Sequence, residues 1–509
     1  MEYDDIIVGA GSSGAVLAAR LSEDANRSVL LLEAGPDYQT LESSPFDILR
    51  TWVSMGPHDW GMVAKATANH EIAYPRGKVT GGSSAVNGHI ALRGTPQDFD
   101  EWDAWGNSEW SFAKVLPFYR KLENDRDARG DFHGNSGPIW IERPQPDTWE
   151  PLNRAFYSAC RAMGYAEVWD HNDPESAGVG PWPRNRRDGI RISTAIGYLA
   201  PARHRLNLTV RSNCNVHRVI VEGGRARGVE VECGGVVQKL NAHRVTLSAG
   251  AINSPAILMR SGVGARSELE RLGIEPLADL QGVGDNLIDH VMAVIYATPT
   301  PGVPHDPEVT NPVGVRYTAS GSSEFNDMQL YVFNFFDKNL APGFADTVPI
   351  PAVAVAPGLQ RPRSRGRISL ASKDPNVPPR IELNYLDDPQ DMRRMIEGLR
   401  IAWRLMNSPH LHPYLKAITS LSDEMVGSDE ALAEFLRTNC GTIYHPVGTA
   451  RMGPDSDSMA VVDQYCRVRG VDGLRVVDAS VMPNIVRANT NLTCIMIGER
   501  VAEWMRAGD

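Results

Sequence analysis

Two short apolar runs flank a glycine-rich turn and a helical stretch at the start of the chain. Residues 4–8 end in three apolar side chains and predict a buried strand, and residues 15–21 predict a helix directly after the turn. A second apolar run at residues 28–32 predicts another strand. Strand, glycine turn, helix and strand in this order predict a Rossmann-type unit.

Periodic patterns continue through the rest of the chain. Alternating apolar positions predict strands with one buried face at residues 327–333 and 353–355, and residues 391–406 have the period of a covering helix. Near the end, residues 474–478 predict a strand and residues 492–505 predict a helix, with Thr490 or Asn491 as its N-cap. The chain is therefore expected to combine helices and sheets in more than one domain.

Composition narrows the class of protein. A chain of 509 residues is expected to form about two to four domains. Its net charge of −11, with both signs mixed along the chain, argues against a nucleic-acid partner. The N-terminus lacks a basic signal region, and no apolar run approaches the roughly 20 residues that span a bilayer. We therefore expect a cytoplasmic protein with no membrane span.

Cysteine usage supports the same expectation. The six cysteines form no CxxC pair and no disulfide-like framework, which is typical of a reducing compartment. They are Cys160, Cys214, Cys233, Cys440, Cys466 and Cys494. We also expect no metal site, because the nearby pair His410 and His412 has no further ligand cluster.

The first glycine turn has the residues that a dinucleotide requires. Gly9 permits the tight turn, Gly11 allows the backbone to approach a pyrophosphate, and Gly14 lets the helix pack closely on the strand. Glu33 ends the second strand and can accept hydrogen bonds from both ribose hydroxyls. This unit alone does not distinguish FAD from NAD.

Two longer motifs carry a family resemblance. The glycine-serine loop from Arg76 to Gly88 and the segment from Gly250 to Gly264 resemble the two signatures of the glucose-methanol-choline (GMC) oxidoreductases, choline dehydrogenase- and alcohol oxidase-like proteins. Segments 282–290 and 361–366 and the tail from Tyr444 onward are also similar to that family. The resemblance implies FAD as the cofactor and an α/β fold of the α+β two-domain type. A Rossmann-type FAD-binding domain would contain an inserted antiparallel-sheet substrate-binding domain.

The same resemblance implies domain limits and cofactor-binding residues. It assigns residues 1–145, 188–298 and 440–509 to the FAD-binding domain, and residues 146–187 and 299–439 to the substrate-binding cap domain. The expected FAD-binding residues are Gly9, Gly11, Ser12, Ser13, Gly14, Glu33, Ala34, Gly81, Ser83, Val86, Asn87, Gly88, Val216, Asp478, Ala479, Asn489 and Thr490. Some members carry a flavin-linked histidine where this chain has Val86, so the FAD is expected to be non-covalent.

The tail contains the expected catalytic residues. Oxidation of an alcohol by a flavin removes the hydroxyl proton as a hydride leaves for flavin N5, and a neutral imidazole is a suitable base. By resemblance, His445 is that base, and Asn489 is its partner, which orients the substrate hydroxyl. Tyr444 and Phe333 are candidates for the walls of the substrate pocket. The expected substrate is a primary or ring-borne alcohol.

Two questions stay open at this stage. The reduced flavin can pass its electrons to oxygen or to another electron carrier, and the sequence does not decide between an oxidase and a dehydrogenase. The alternative function is that of a hydroxynitrile-lyase-like enzyme, which shares this fold and keeps FAD without redox turnover.

Overall fold

Two sheets organise the part of the chain that the computed structural model describes, residues 2–50, 53, 56–304, 311–336 and 352–508. The first sheet contains, in spatial order, the strands Leu208–Arg211, Val29–Leu32, Glu2–Val8, Val236–Leu247, Arg225–Cys233 and Cys214–Glu222. The strand Leu474–Val476 pairs in parallel with the end of Val236–Leu247.

The parallel half of this sheet grows from the predicted Rossmann unit. Glu2–Val8 pairs in parallel with Val29–Leu32 on one side and with Val236–Leu247 on the other. The helix Gly14–Leu21 connects the first two strands, and Arg20 is its one residue that is not buried. Helices cover parallel strands on both faces, which is why every side chain of Val29–Leu32 is apolar and buried.

The second sheet is antiparallel. Its strands, in spatial order, are Leu415–Ile418, Ile295–Pro299, Ala352–Leu359, Met328–Phe336, Val313–Tyr317 and Gly178–Pro181, and the short strands Val291–Met292 and Gly441–Thr442 extend it. Alternate residues serve its two faces. Leu330 and Val332 lie in the core beneath the helix Pro389–Met406, whereas Tyr331 and Phe333 face the first sheet.

Helices and small sheets complete the described structure. The other helices are Phe46–Arg50, Pro96–Ala104, Phe112–Leu122, Pro151–Ala162, Ala200–Ala202, Gly250–Arg260, Arg266–Arg271, Asp423–Val426, Asp429–Asn439 and Thr490–Arg506. A four-stranded sheet contains Arg367–Ser369, Arg380–Glu382, Val63–Thr67 and His70–Ala73. Paired short strands are Glu123–Asp125 with Ile139–Ile141, Arg186–Arg187 with Ile190–Arg191, and Val263–Gly264 with Ala278–Asp279.

The predicted fold class is confirmed, a Rossmann-type sheet combined with an antiparallel sheet. Within the described ranges, no helix is both long enough and apolar enough to cross a bilayer. The predicted domain limits stay a prediction, and the limit at residue 298 falls inside the strand Ile295–Pro299 of the second sheet. The predicted N-cap of the last helix was wrong by one or two positions, because Asn489 is the N-cap and Thr490 is already helical.

The expectation of unpaired cysteines is wrong for one pair. Cys214 and Cys233 form a disulfide, with their Cα atoms 4.3 Å apart. They begin and end two antiparallel strands joined by a Gly223-Gly224 turn, and the register places them directly opposite each other. The sequence contained a signal for this pairing, since the two cysteines are equally distant from the two-glycine turn.

A buried charge cluster lies away from both sheets. It contains Arg93, Glu123, Asp125, His133, Arg143 and Asp170. His133 Nε2 lies 2.8 Å from Asp170 and its Nδ1 lies 3.2 Å from Glu123, while Arg143 bridges Asp125 and Asp170. Glu123, Asp125 and His133 place ligand atoms within 4.8 Å of one another, but two guanidinium groups and a cationic imidazole already balance the three carboxylates. We therefore interpret the cluster as an ion-pair network.

This network predicts a pH-dependent stability. Burial alone lowers the pKa of His133. The carboxylates of Asp125, Asp170 and Glu123 outweigh this effect and raise the pKa from 6.5 to about 10. Because folding raises the pKa of His133, the charged imidazole contributes its full stabilisation below pH 6.5. This stabilisation is lost as the pH rises through about 10. His133→Gln should therefore lower the thermal unfolding temperature most at pH 6, and the difference from the wild type should shrink towards pH 10.

The matched control is His410→Gln, which changes an exposed histidine. It should leave the unfolding temperature almost unchanged across the same pH range. A deficit of His133→Gln that is equal at all pH values would contradict the assignment of a charged imidazole.

Candidate active site

A long cavity begins at the carboxyl ends of the parallel strands and reaches the inner face of the second sheet. Most of the predicted site residues contribute to its wall: Gly9, Gly11, Ser12, Ser13, Glu33, Ala34, Ser83, Val86, Asn87, Gly88, Val216, Phe333, Tyr444, His445, Asp478, Ala479, Asn489 and Thr490. Gly14 and Gly81 lie behind this wall. The fold thus brings together residues from both ends of the chain and from both sheets.

Close backbone contacts explain the glycines of the first loop. Gly9 has a φ of +96°, and a Cβ there would lie 2.5 Å from the carbonyl oxygen of Ser248. A Cβ on Gly14 would lie 1.9 Å from the carbonyl oxygen of Gly9. Both contacts are too short for any side chain, so these positions require glycine for the strand, the turn and the helix to meet.

The two glycine loops touch each other. Gly82 has a φ of +53°, and a Cβ there would lie 2.7 Å from the Cα of Gly11. The neighbouring Gly81 donates its backbone N–H to the carbonyl of Ala10 over 2.8 Å. The second loop therefore lies directly on the first, and both present backbone and small side chains to the cavity.

The carboxylate of Glu33 holds the backbone of the first glycine loop in place. Its carboxylate accepts hydrogen bonds of 2.9 Å from the backbone N–H groups of Ala10 and Gly35. Burial raises the pKa of Glu33 to about 7, although these backbone donors oppose the rise. Each carboxylate oxygen has a second lone pair, so the side chain can still accept hydrogen bonds from a ligand in the cavity.

The C-terminal helix Thr490–Arg506 closes the cavity opposite the first loop. Ser12 donates a hydrogen bond of 2.8 Å to the side-chain oxygen of Asn491, and Ser13 donates one of 2.8 Å to the carbonyl of Cys494. The N-cap residue Asn489 does not cap its own helix with its side chain. The first turn of the helix therefore presents its N–H groups towards the cavity wall, where Thr490 and Asn491 lie.

Asp478 lies near the end of the first sheet, and both of its carboxylate oxygens accept hydrogen bonds from protein groups. One oxygen accepts from the backbone N–H of Gly250 over 2.9 Å and from the hydroxyl of Ser254 over 2.5 Å. The other accepts from the backbone N–H and the hydroxyl of Ser480. Asp478 thus joins the first sheet to the helix Gly250–Arg260.

His445 lies between two polar partners. Its Nδ1 is 2.9 Å from Nδ1 of His290, and its Nε2 is 3.2 Å from the side-chain nitrogen of Asn489. An amide nitrogen can only donate, so Nε2 of His445 accepts and Nδ1 carries the proton, which it donates to His290. This assignment leaves the basic nitrogen of His445 on the side of the cavity and Asn489.

Both imidazoles are neutral. Burial lowers the pKa of His445 well below its ordinary value, and the neighbouring His290 and Arg76 lower it further. Burial likewise lowers the pKa of His290 to about 3. His445 is therefore an unprotonated base at neutral pH, which is the form that can accept a proton.

Asp289 holds the turn that carries His445. Its carboxylate accepts the backbone N–H of His445 over 2.8 Å and the hydroxyls of Tyr74, Tyr385 and Thr442 over 2.6 to 2.7 Å. Tyr444 has a left-handed φ of +67°, a backbone conformation that residues other than glycine rarely adopt. The Asp289 hydrogen bonds therefore fix a strained turn, and His290 next to it fixes the imidazole ring.

His445 and Asn489, which the sequence predicted as site residues, lie in the cavity wall, but sequence reasoning missed several other wall residues. The family-like segment around residue 290 pointed to His290 and Asp289, although no role was assigned to them. Tyr331, Met292, Ile443 and Asn311 also line the cavity. The predicted strand 327–333 places Tyr331 on the same face as Phe333, whereas single-sequence patterns gave no signal for the other three. They come from strands and loops of the second sheet, whose approach to the first sheet is a long-range contact.

Family models match most of the chain. The description GMC oxidoreductase applies to both matches, one over residues 3–292 and one over residues 362–498. Together these matches include both glycine loops, His445 and Asn489.

Related proteins match over their full length. The chain is 38% identical to the oxygen-dependent choline dehydrogenase of Yersinia pseudotuberculosis, covering 99% of this chain and 94% of the relative. It is 39% identical to an uncharacterized GMC-type oxidoreductase of Rhodococcus erythropolis, covering 98% and 97%. Among solved structures, pyridoxine 4-oxidase from Mesorbium loti superposes with a TM-score of 0.91 at 30% identity, covering 99% of both chains.

The contact between the two glycine loops can be tested by substitution. Gly82→Ala should separate Gly82 from Gly11 and cost about 1 to 2 kcal/mol for the left-handed backbone alone. We expect a lower thermal unfolding temperature and a smaller temperature rise on addition of FAD. Gly427→Ala is the control, because Gly427 has a φ of −73° and its Cβ would meet no atom closer than 3.4 Å. Equal behaviour of the two variants would show that the loop contact is not required.

Proposed function

The chain belongs to the GMC oxidoreductase family, and on this premise we propose that it oxidises a small-molecule alcohol, primary or ring-borne, to the carbonyl compound. The observation that carries this proposal is the neutral, buried His445, whose basic nitrogen lies beside Asn489 in the wall of the cavity. FAD is the cofactor, as in the family. Oxygen or another electron carrier then accepts the electrons.

The residues of the cavity fit FAD. Gly11 and Gly82 leave no side chain between the loops, which allows a pyrophosphate to approach the backbone. Glu33 provides carboxylate oxygens for a ribose, and Val216 provides a strand edge for an adenine. Ser83, Asn87 and Gly88 give the other end of the cavity small, neutral, hydrogen-bonding walls.

His445 is the proposed catalytic base. Its Nε2 takes the hydroxyl proton of the alcohol while the carbon loses a hydride, so the substrate loses two electrons and two hydrogens in total. Bound FAD supplies the two-electron acceptor for that hydride. Nδ1 of the resulting imidazolium keeps its hydrogen bond to His290, which stays neutral because it is buried.

Asn489 is the proposed orienting partner. Its side-chain nitrogen donates to Nε2 of His445, whereas its side-chain oxygen is buried without a hydrogen-bond partner among the residues that the structure describes. When substrate binds, an N–H of this amide can instead donate to the substrate oxygen, which leaves the hydroxyl hydrogen directed at Nε2 of His445. The amide of Asn489 is not a base at neutral pH, so we assign proton transfer to His445 alone.

Replacement of His445 tests this mechanism. His445→Ala should slow the anaerobic reduction of the flavin by an alcohol by about 100- to 10,000-fold, the usual contribution of a general base. Rapid-mixing absorbance at the flavin band measures this rate directly. His410→Ala, an exposed histidine, serves as the control and should keep the wild-type rate.

The same experiment separates the redox proposal from a lyase. An oxidoreductase loses its yellow colour when an alcohol substrate is added without oxygen, whereas a hydroxynitrile-lyase-like enzyme stays yellow. Equal reduction rates of His445→Ala and the wild type would contradict the base assignment.

We also propose that the FAD is held without a covalent bond. Val86 lies in the cavity wall and packs in an apolar cluster with Ile48, Val79 and Ala85, so its side chain offers no nucleophile to a flavin. Acid precipitation should therefore release all of the yellow colour into the supernatant. A yellow pellet, or a peptide that carries flavin after proteolysis, would contradict a non-covalent FAD.

A further inference from the structure

Asn311 is a buried polar residue whose side chain has no hydrogen-bond partner in the described part of the chain. It is fully buried, and neither its side-chain oxygen nor its side-chain nitrogen is paired within the described residues. It contributes to the wall of the same cavity as His445 and Asn489. A buried amide without partners is costly, so a site of this kind is stable when a ligand or water completes its hydrogen bonds.

Backbone contacts place Asn311 at the flavin end of the cavity. Its carbonyl accepts a hydrogen bond of 2.7 Å from the buried guanidinium of Arg184. Arg184 forms a backbone bridge with Ile90, which follows the loop of Asn87 and Gly88. Asn311 therefore lies beside the loop that we assign to the flavin and far from the Glu33 end.

The neighbouring walls are aromatic and apolar. Tyr331 and Phe333 are stacked with ring centroids 6.3 Å apart, and Met292 and Ile443 lie in the same wall. Flat rings and a flexible thioether are suited to an aromatic ring. Asn311 adds one neutral donor and one neutral acceptor to this apolar surface.

The backbone conformation of Asn311 is a second reason for an asparagine at this position, separate from ligand binding. Its φ is +56°, and asparagine is one of the few residues that tolerate this left-handed conformation. Conformation alone would be served equally well by glycine. Glycine at this position therefore removes the amide without straining the chain.

We propose that the Asn311 amide hydrogen-bonds a second polar group of the substrate. The substrate class is an aromatic alcohol that carries a neutral hydrogen-bonding group, such as a carboxamide, on the ring position away from the carbinol. This inference rests on the proposed alcohol oxidation. Water fills such a site until a group that reproduces its hydrogen bonds displaces it.

A matched pair of alcohols tests this proposal. The pair is (hydroxymethyl)benzamide and isopropylbenzyl alcohol, used as the para and meta isomers, because the two substituents have a similar size but different polarity. The wild type should favour the amide by about tenfold or more in kcat/KM. In Asn311→Gly this ratio should fall towards one.

The matched control is Asn326→Gly. Asn326 is also buried and left-handed, with a φ of +53°, but it donates to the carbonyl of Ser176 and does not line the cavity. This variant should keep the wild-type ratio. A wild type that does not favour the amide in either isomer, or an unchanged ratio in Asn311→Gly, would overturn the proposal.

Binding measurements separate this proposal from the proposed oxidation. If no alcohol bleaches the flavin, the oxidation is wrong, and the Asn311 site is then tested with benzamide and isopropylbenzene. Their Kd values are read from the shift of the flavin absorption spectrum. If Asn311→Gly weakens the binding of benzamide but not that of isopropylbenzene, the site is supported. If the Kd of benzamide is equal in the variant and the wild type, the site is overturned.

Discussion

The arrangement of His445, the proposed catalytic base, depends on one buried carboxylate. Asp289 accepts hydrogen bonds from Tyr74, Tyr385 and Thr442 and from the backbone of His445. These donors come from separate parts of the chain, so one side chain joins the second sheet to segments that flank the cavity. Burial raises the pKa of Asp289, and the three hydroxyl donors oppose that rise. The strained turn before His445 is stable because these hydrogen bonds compensate its backbone cost.

Burial then decides the chemistry of the base. A charged imidazole is unfavourable in a low-dielectric site, so His445 and His290 are both neutral. The protein must also determine which ring nitrogen carries the proton, and it does so through the amide of Asn489, which turns its nitrogen towards Nε2. Asn489 donates to Nε2, which forces the proton of His445 onto Nδ1. A base with the correct tautomer therefore exists before any substrate arrives, and the hydrogen bonds of the resting protein supply it.

The sequence predicted the features that local chemistry determines. Gly14 is required by its contact with Gly9 within one strand–turn–helix unit, and this unit is found where the apolar pattern predicted it. His445 was identified through a family motif. Asn311 was not found, because its importance arises from missing partners and from the approach of the second sheet. The Cys214–Cys233 bond was missed because cysteine spacing was examined without the hairpin register.

The two ends of the chain meet at the cofactor cavity. Ser12 and Ser13 bind the last helix, and Arg20 forms an ion pair of 2.7 Å with Glu499, 479 residues later in the chain. The ribosome makes the first glycine loop long before the helix Thr490–Arg506 that completes the cavity. The complete cavity therefore forms only after that helix has been made, and contacts of such long sequence separation favour slow, late closure. Binding of FAD in the complete cavity is consequently a late step in the formation of this protein.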